Sequence, residues 1–93
     1  MNDIAKETGR RLREERTARG WSQSQLAAYS GWRSGKSGGL SPSAIGNYEQ
    51  GTRNIRRPQA RTLEKIFGLP AAYFMGEITR EEAKMLAAYR STM

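Results

Sequence analysis

The chain has 93 residues, enough for one domain with a modest core and no second folded unit. It contains no cysteine and no histidine, which removes disulfides, thiolate and imidazole metal sites, and the usual general base. The formal net charge is +7, so the composition favours binding a polyanion over catalysis, with no metal and no cofactor expected.

Residues 3 to about 18 read as a first helix, with Ile4, Thr8, Leu12 and Glu15 or Arg16 recurring at helical spacing. Gly20 is a natural stop, and Trp21 is expected to pack back onto that helix. Ser22 opens a second helix and forms, with Gln25, an S-x-x-Q capping box that satisfies two orphan amides. Leu26 and Ala27 face inward, and Tyr29 closes the helix before Ser30-Gly31. Residues 32–40, W-R-S-G-K-S-G-G-L, have the composition of a flexible loop. A third helix begins at Ser41-Pro42, with serine as N-cap and proline at a position whose amide is unpaired anyway. Ile45 and Tyr48 form its buried face beside Ala44, and Gly51 ends it. Gly46 inside this helix costs about 1 kcal/mol relative to alanine, which suggests close approach by another helix or by DNA.

An arginine-rich loop, T-R-N-I-R-R, runs until Pro58 opens a fourth helix. Its apolar stripe is Leu63, Ile66 and Phe67, capped by Gly68. Pro70 starts a short fifth helix, A-A-Y-F-M, whose Tyr73, Phe74 and Met75 are expected in the core, and Gly76 closes it. Thr79 and Glu82 form another capping box, launching a sixth helix to about Arg90. Ala83, Met85, Leu86 and Tyr89 are its apolar positions. No segment alternates as a strand would, so the fold class is all-α. Residues 1–76 form a helical domain and residues 77–93 a C-terminal helix.

The positive charge is unevenly placed. Residues 16–61 hold eight Lys or Arg against one acid, Glu49, whereas the remainder balances eight basic with eight acidic groups. A solvated surface is the plain alternative, but the excess coincides with two sequence fragments that carry a motif. These are S-Q-S-Q-L-A, followed after residues 32–40 by S-x-x-A-I-x-x-Y-E-x-G, and then L-x-K-I-F-G-L-P-A-A-Y-F. Together they resemble the lambda repressor and Cro family of helix-turn-helix domains over residues 9–76. The resemblance implies a five-helix DNA-binding domain, here with an extended connection between helices 2 and 3 and an extra C-terminal helix. It implies a transcriptional repressor of phage or bacterial origin, acting on a double-stranded DNA operator.

In such domains the second motif helix lies in the major groove. Gln23 matches the position that braces a phosphate or reaches a base, with a plain surface glutamine as the alternative. On the third helix Pro42, Ser43, Gly46 and Asn47 face outward, with Ser41 at its start. Ser43 and Asn47 are four apart and share a face; asparagine can pair bidentately with adenine, and serine can contact several bases. This is a thin reading surface. The resemblance implies that Glu49 pairs with Arg16 rather than touching DNA. It also implies that Arg53, Arg56, Arg57 and Arg61 grip the sugar-phosphate backbone, as arginine does bidentately.

Gly35-Lys36-Ser37 has the G-K-S of a phosphate-binding loop, but Ser30 stands where the earlier glycine belongs and no strand precedes it. Three roles stay open for residues 32–40: a tolerated surface loop, phosphate or minor-groove contacts through Arg33 and Lys36, or a subunit contact through Trp32. The sparse reading surface favours the DNA-contacting role. A homodimer or higher oligomer is expected, assembled through Met85, Leu86 and Tyr89 of the sixth helix, which could otherwise fold back on the domain. No self-cleaving second domain fits the length, so a separate antirepressor protein or turnover is expected to end repression. An antitoxin that masks a protein partner is the rival reading, and RNA binding a weaker one. No apolar run approaches the roughly 20 residues of a membrane span, and the N-terminus lacks an apolar signal region, so a cytoplasmic protein of a bacterial host is expected.

Overall fold

A computed structural model describes residues 3–91, and side chains over residues 3–89. Six α-helices follow in order: α1 Asp3–Ala18, α2 Gln23–Tyr29, α3 Pro42–Gln50, α4 Arg57–Phe67, α5 Ala71–Phe74 and α6 Arg80–Ser91. A 3₁₀ turn at Trp32–Ser34 sits between α2 and α3. There is no strand among the described residues, and no helix there is long and apolar enough to cross a membrane.

Local chemistry sets most of the boundaries. The Ser22 hydroxyl accepts from the Gln25 amide at 3.0 Å while the Gln25 side chain accepts from the Ser22 amide at 2.7 Å. Ser41 caps α3 by accepting from Ala44 N at 3.1 Å, with Pro42 just behind it. Thr79 and Glu82 cap α6 reciprocally, and these bonds to the Thr79 amide and hydroxyl hold the Glu82 carboxyl below its usual range. Two boundaries shift by one residue from expectation. α4 starts at Arg57, with Pro58 as its next residue, and Pro70 stands as the N-cap of α5 rather than inside it.

The core collects Leu12, Leu26, Ile45, Tyr48, Leu63, Phe67, Tyr73 and Phe74, with Leu40 and Ala83. α1 packs most heavily on α3, and the contact is close enough to require glycine. A Cβ on Gly9 would lie 1.9 Å from the Tyr48 carbonyl oxygen. The face that α1 buries is Ala5, Thr8, Gly9, Leu12 and Glu15. Ile4, expected inside, is 60 % exposed, and the neighbouring Ala5 takes the buried place on the face that α1 turns to the core. Trp21 folds back onto the end of α1, its amide donating to Arg16 O at 3.2 Å, and its ring packs tilted against Tyr29 and Phe67 at centroid distances of 4.8 and 5.6 Å.

α6 is attached at its start. Ala83 is fully buried, the Arg11 guanidinium donates to the carbonyls of Tyr73 and Ile78 at 2.7 and 2.9 Å, and Arg80 approaches buried Glu15 at 3.6 Å. Burial, then the Glu15 charge, pushes the Tyr73 hydroxyl pKa up.

Residues 32–40 are folded rather than featureless, which corrects the flexible-loop expectation. Lys36 N returns to Gly31 O at 3.3 Å and Gly39 N to Lys36 O at 3.1 Å. The Ser30 hydroxyl donates to Ala27 O at 2.6 Å and accepts from Leu40 N at 2.9 Å, tying the end of α2 to the start of α3. Leu40 then enters the core at 1 % exposure. Leu40→Ala should therefore cost about 2–5 kcal/mol in denaturant unfolding, the range for a truncated core leucine. A loss below half a kcal/mol would mean that the segment is not anchored.

Candidate nucleic-acid interface

The start of α2 and the outer face of α3 enclose an open cleft of about 520 Å³ lined by Gln23, Pro42, Ser43, Gly46, Asn47 and Gln50. Its geometry is fixed from below by Glu49. That carboxylate is 5 % exposed and takes a bidentate grip from Arg16, Nε to Oε2 at 2.6 Å and Nη2 to Oε1 at 2.9 Å. Arg16 also donates to Trp21 O at 2.7 Å, and its hydrogen bond to Glu49 raises its pKa further. The pairing of Glu49 with Arg16 is thus present as the family resemblance implied.

Oε1 of Glu49 accepts a further bond from Gln23 Nε2 at 3.1 Å. An amide facing a carboxylate must turn its NH₂ towards it, since a carbonyl oxygen there would be repelled. Gln23 is therefore oriented, with its Oε1 and one remaining N–H free for a partner. A Cβ on Gly46 would lie 3.8 Å from that Oε1, an ordinary contact. Hence no neighbouring helix demands glycine at position 46, and what Gly46 does is leave the floor of the cleft low.

Of the residues expected to meet DNA, Gln23, Ser43 and Asn47 come together on this surface. Ser41 lies at its edge, but its oxygen accepts the α3 capping bond. Asn47 Oδ1 lies 3.5 Å from the Thr52 hydroxyl, which also donates to Asn47 O at 3.0 Å. Gln50, one turn beyond Asn47 near the helix end, also lines the cleft and is not among the residues expected from the sequence. Arg53 lies with its guanidinium 5.5 Å from the Tyr48 ring, and Arg56 is exposed at the N-cap of α4. Glu77 approaches Arg57 at 3.6 Å, and this exposed pair is worth little.

Arg33 and Lys36 do not line the α3 cleft. Lys36 lies instead beside Tyr29, Ser37, Thr62, Lys65 and Ile66, over the C-terminal end of α2 and the side of α4. Arg61, with Ser37 and Lys65, belongs to that same side. Met85, Leu86 and Tyr89 are 72, 44 and 65 % exposed, so α6 presents an apolar outer face.

A helix-turn-helix family model matches residues 12–74 of the chain, from the middle of α1 through α5. No curated protein and no solved structure matches it.

Removing one member of the buried ion pair strands the other, whereas removing both need not destabilise. Glu49→Ala should cost about 3–5 kcal/mol in equilibrium unfolding, and Arg16→Met combined with Glu49→Leu should recover most of it. A double variant no more stable than Glu49→Ala would show that the charges themselves are required.

Proposed function

Because the chain belongs to the helix-turn-helix family, in its lambda repressor and Cro-like branch, and is a DNA-binding transcription regulator, we propose that it is a repressor of phage or prophage origin. It works in the bacterial cytoplasm by occupying a double-stranded operator and carries out no chemical step. The observation that carries this reading is the α3 cleft, where the Gln23 amide held by Glu49 stands beside Ser43, Asn47 and Gln50. Three amides and a hydroxyl can read base edges, while Arg53 and Arg56 beyond the helix supply backbone charge. With Pro42 and Gly46 offering no hydrogen bond from their side chains, the surface reads few bases per protomer.

That economy favours assembly. A two-fold dimer doubles the number of bases read and sets two half-sites roughly 34 Å apart. The exposed Met85, Leu86 and Tyr89 face of α6 supports this, since apolar side chains so placed gain from burial against a second copy. The same face also suits a protein partner, whether an antirepressor or, in an antitoxin, the protein it masks. Leu86→Glu separates these readings: with DNA absent, light scattering should find the wild type dimeric and the variant monomeric. A monomeric wild type would leave α6 to a different protein.

Asn47→Ala should weaken binding to a selected operator by about 1–3 kcal/mol and leave the salt slope unchanged, as loss of a base contact does. Arg56→Gln should weaken binding to all sequences alike and reduce the slope by about one. Equal losses on operator and scrambled duplex for Asn47→Ala would remove it from the reading set.

A further inference from the structure

The segment between α2 and α3 builds a surface that the reading cleft does not use. Gly38 lies flat against α4: a Cβ there would come within 2.5 Å of the Thr62 hydroxyl oxygen and 2.7 Å of Pro58 O. This contact makes Ser37 one wall of a cleft of about 390 Å³, whose other wall is Arg57, Pro58, Arg61, Thr62 and Lys65. A second, smaller cleft continues from it past Ser37 and Lys65 to Lys36. Neither lining contains an acidic residue, and neither shares a residue with the α3 cleft.

Arg57, Arg61 and Lys65 are spaced by four and so lie on one face of α4, over about 12 Å of its length. Arg57 is partly neutralised by Glu77. Glu64, the one acid on α4, lines a neighbouring cleft with these three cations, and its Oε1 accepts from the Ala71 amide at 2.6 Å. Arg61, Lys65 and Lys36 have no acidic partner among the described residues. A row of unpaired cations along a groove with a hydroxyl at its edge suits a chain of phosphates, and each neutralised phosphate releases counterions.

We propose that the segment of residues 32–40 and the outer face of α4 form a second site for the phosphodiester backbone of duplex DNA, separate from the reading cleft. The inserted segment is thus a wall of the site, and Lys65 and Ser37 join Arg61 and Lys36 as its ligands. The proposal rests on the DNA-binding reading and adds to it a grip on DNA beside the stretch that α3 reads. It is indifferent to sequence, so it raises affinity and on-rate without sharpening discrimination.

The test is the salt dependence of binding of the full chain to a fluorescent duplex of scrambled sequence, two helical turns long. Arg61→Gln with Lys65→Gln should lower the slope of log K against log salt by about two, near 0.9 for each lost phosphate contact. Ser37→Asp, which changes the opposite wall, should also lower it. Arg13→Gln with Lys84→Gln removes the same charge from exposed positions on α1 and α6 and should lower it far less. A slope unchanged in the α4 variant, or lowered equally by the control pair, overturns the proposal and leaves the groove to an acidic protein segment. A wild type with no salt-dependent duplex binding would overturn the DNA-binding reading itself.

Discussion

Everything in the interface depends on the buried grip of Arg16 on Glu49. One carboxylate joins three elements, since it holds the guanidinium of α1, the amide of Gln23 at the start of α2, and is itself part of α3. Burying these charges is costly, and the cost is offset because both carboxylate oxygens and each of the three guanidinium nitrogens make a hydrogen bond. Gly9 gives α1 a second hold on α3. It touches the Tyr48 carbonyl two turns before Arg16, so α1 fixes the C-terminal half of α3 at points about 10 Å apart along its own axis. The outer face of α3, with Ser43 and Asn47, lines the open cleft.

Rigidity matters because the chemistry on that face is sparse. A surface with few base contacts gains discrimination from placing those few accurately, and the orientation of Gln23 by Glu49 is part of that placement. Affinity must then come from charge. The cations after α3 differ in their surroundings: Arg53 lies against Tyr48 and Arg57 against Glu77, whereas Arg61 and Lys65 have no acidic partner among the described residues.

What was legible in the sequence was local. The capping pairs Ser22 with Gln25 and Thr79 with Glu82, and Ser41 with Pro42, act within one turn, so their residue types suffice to place three helix starts. The pairing of Glu49 with Arg16 was legible only through the family resemblance, because thirty-three residues separate the partners. What escaped was decided by space between elements. Gly9 reads as an ordinary mid-helix glycine until Tyr48 O is brought against it. Periodicity cannot choose between Ile4 and Ala5 at the edge of a stripe, and it is Ala5 that α1 turns to the core. The Trp21 to Phe67 and Arg57 to Glu77 contacts likewise depend on neighbours far along the chain.

The inserted segment illustrates the same limit from the other side. Nine residues rich in glycine and serine between two motif helices would be expected to loosen their relative placement, since each end is free to wander. The Ser30 hydroxyl removes that freedom by receiving Leu40 N while bonded to Ala27 O, and Leu40 is drawn into the core directly before the α3 cap. The two motif helices are thus tied to each other by one hydroxyl and one leucine. The residues in between are excluded from the α2–α3 joint and have to lie elsewhere. Gly38 lets them lie on α4, because any larger residue would strike Pro58 and Thr62. The price is small, since loop closure grows only slowly with length. The reading geometry is kept while the chain gains a second surface, and the two can vary independently of each other.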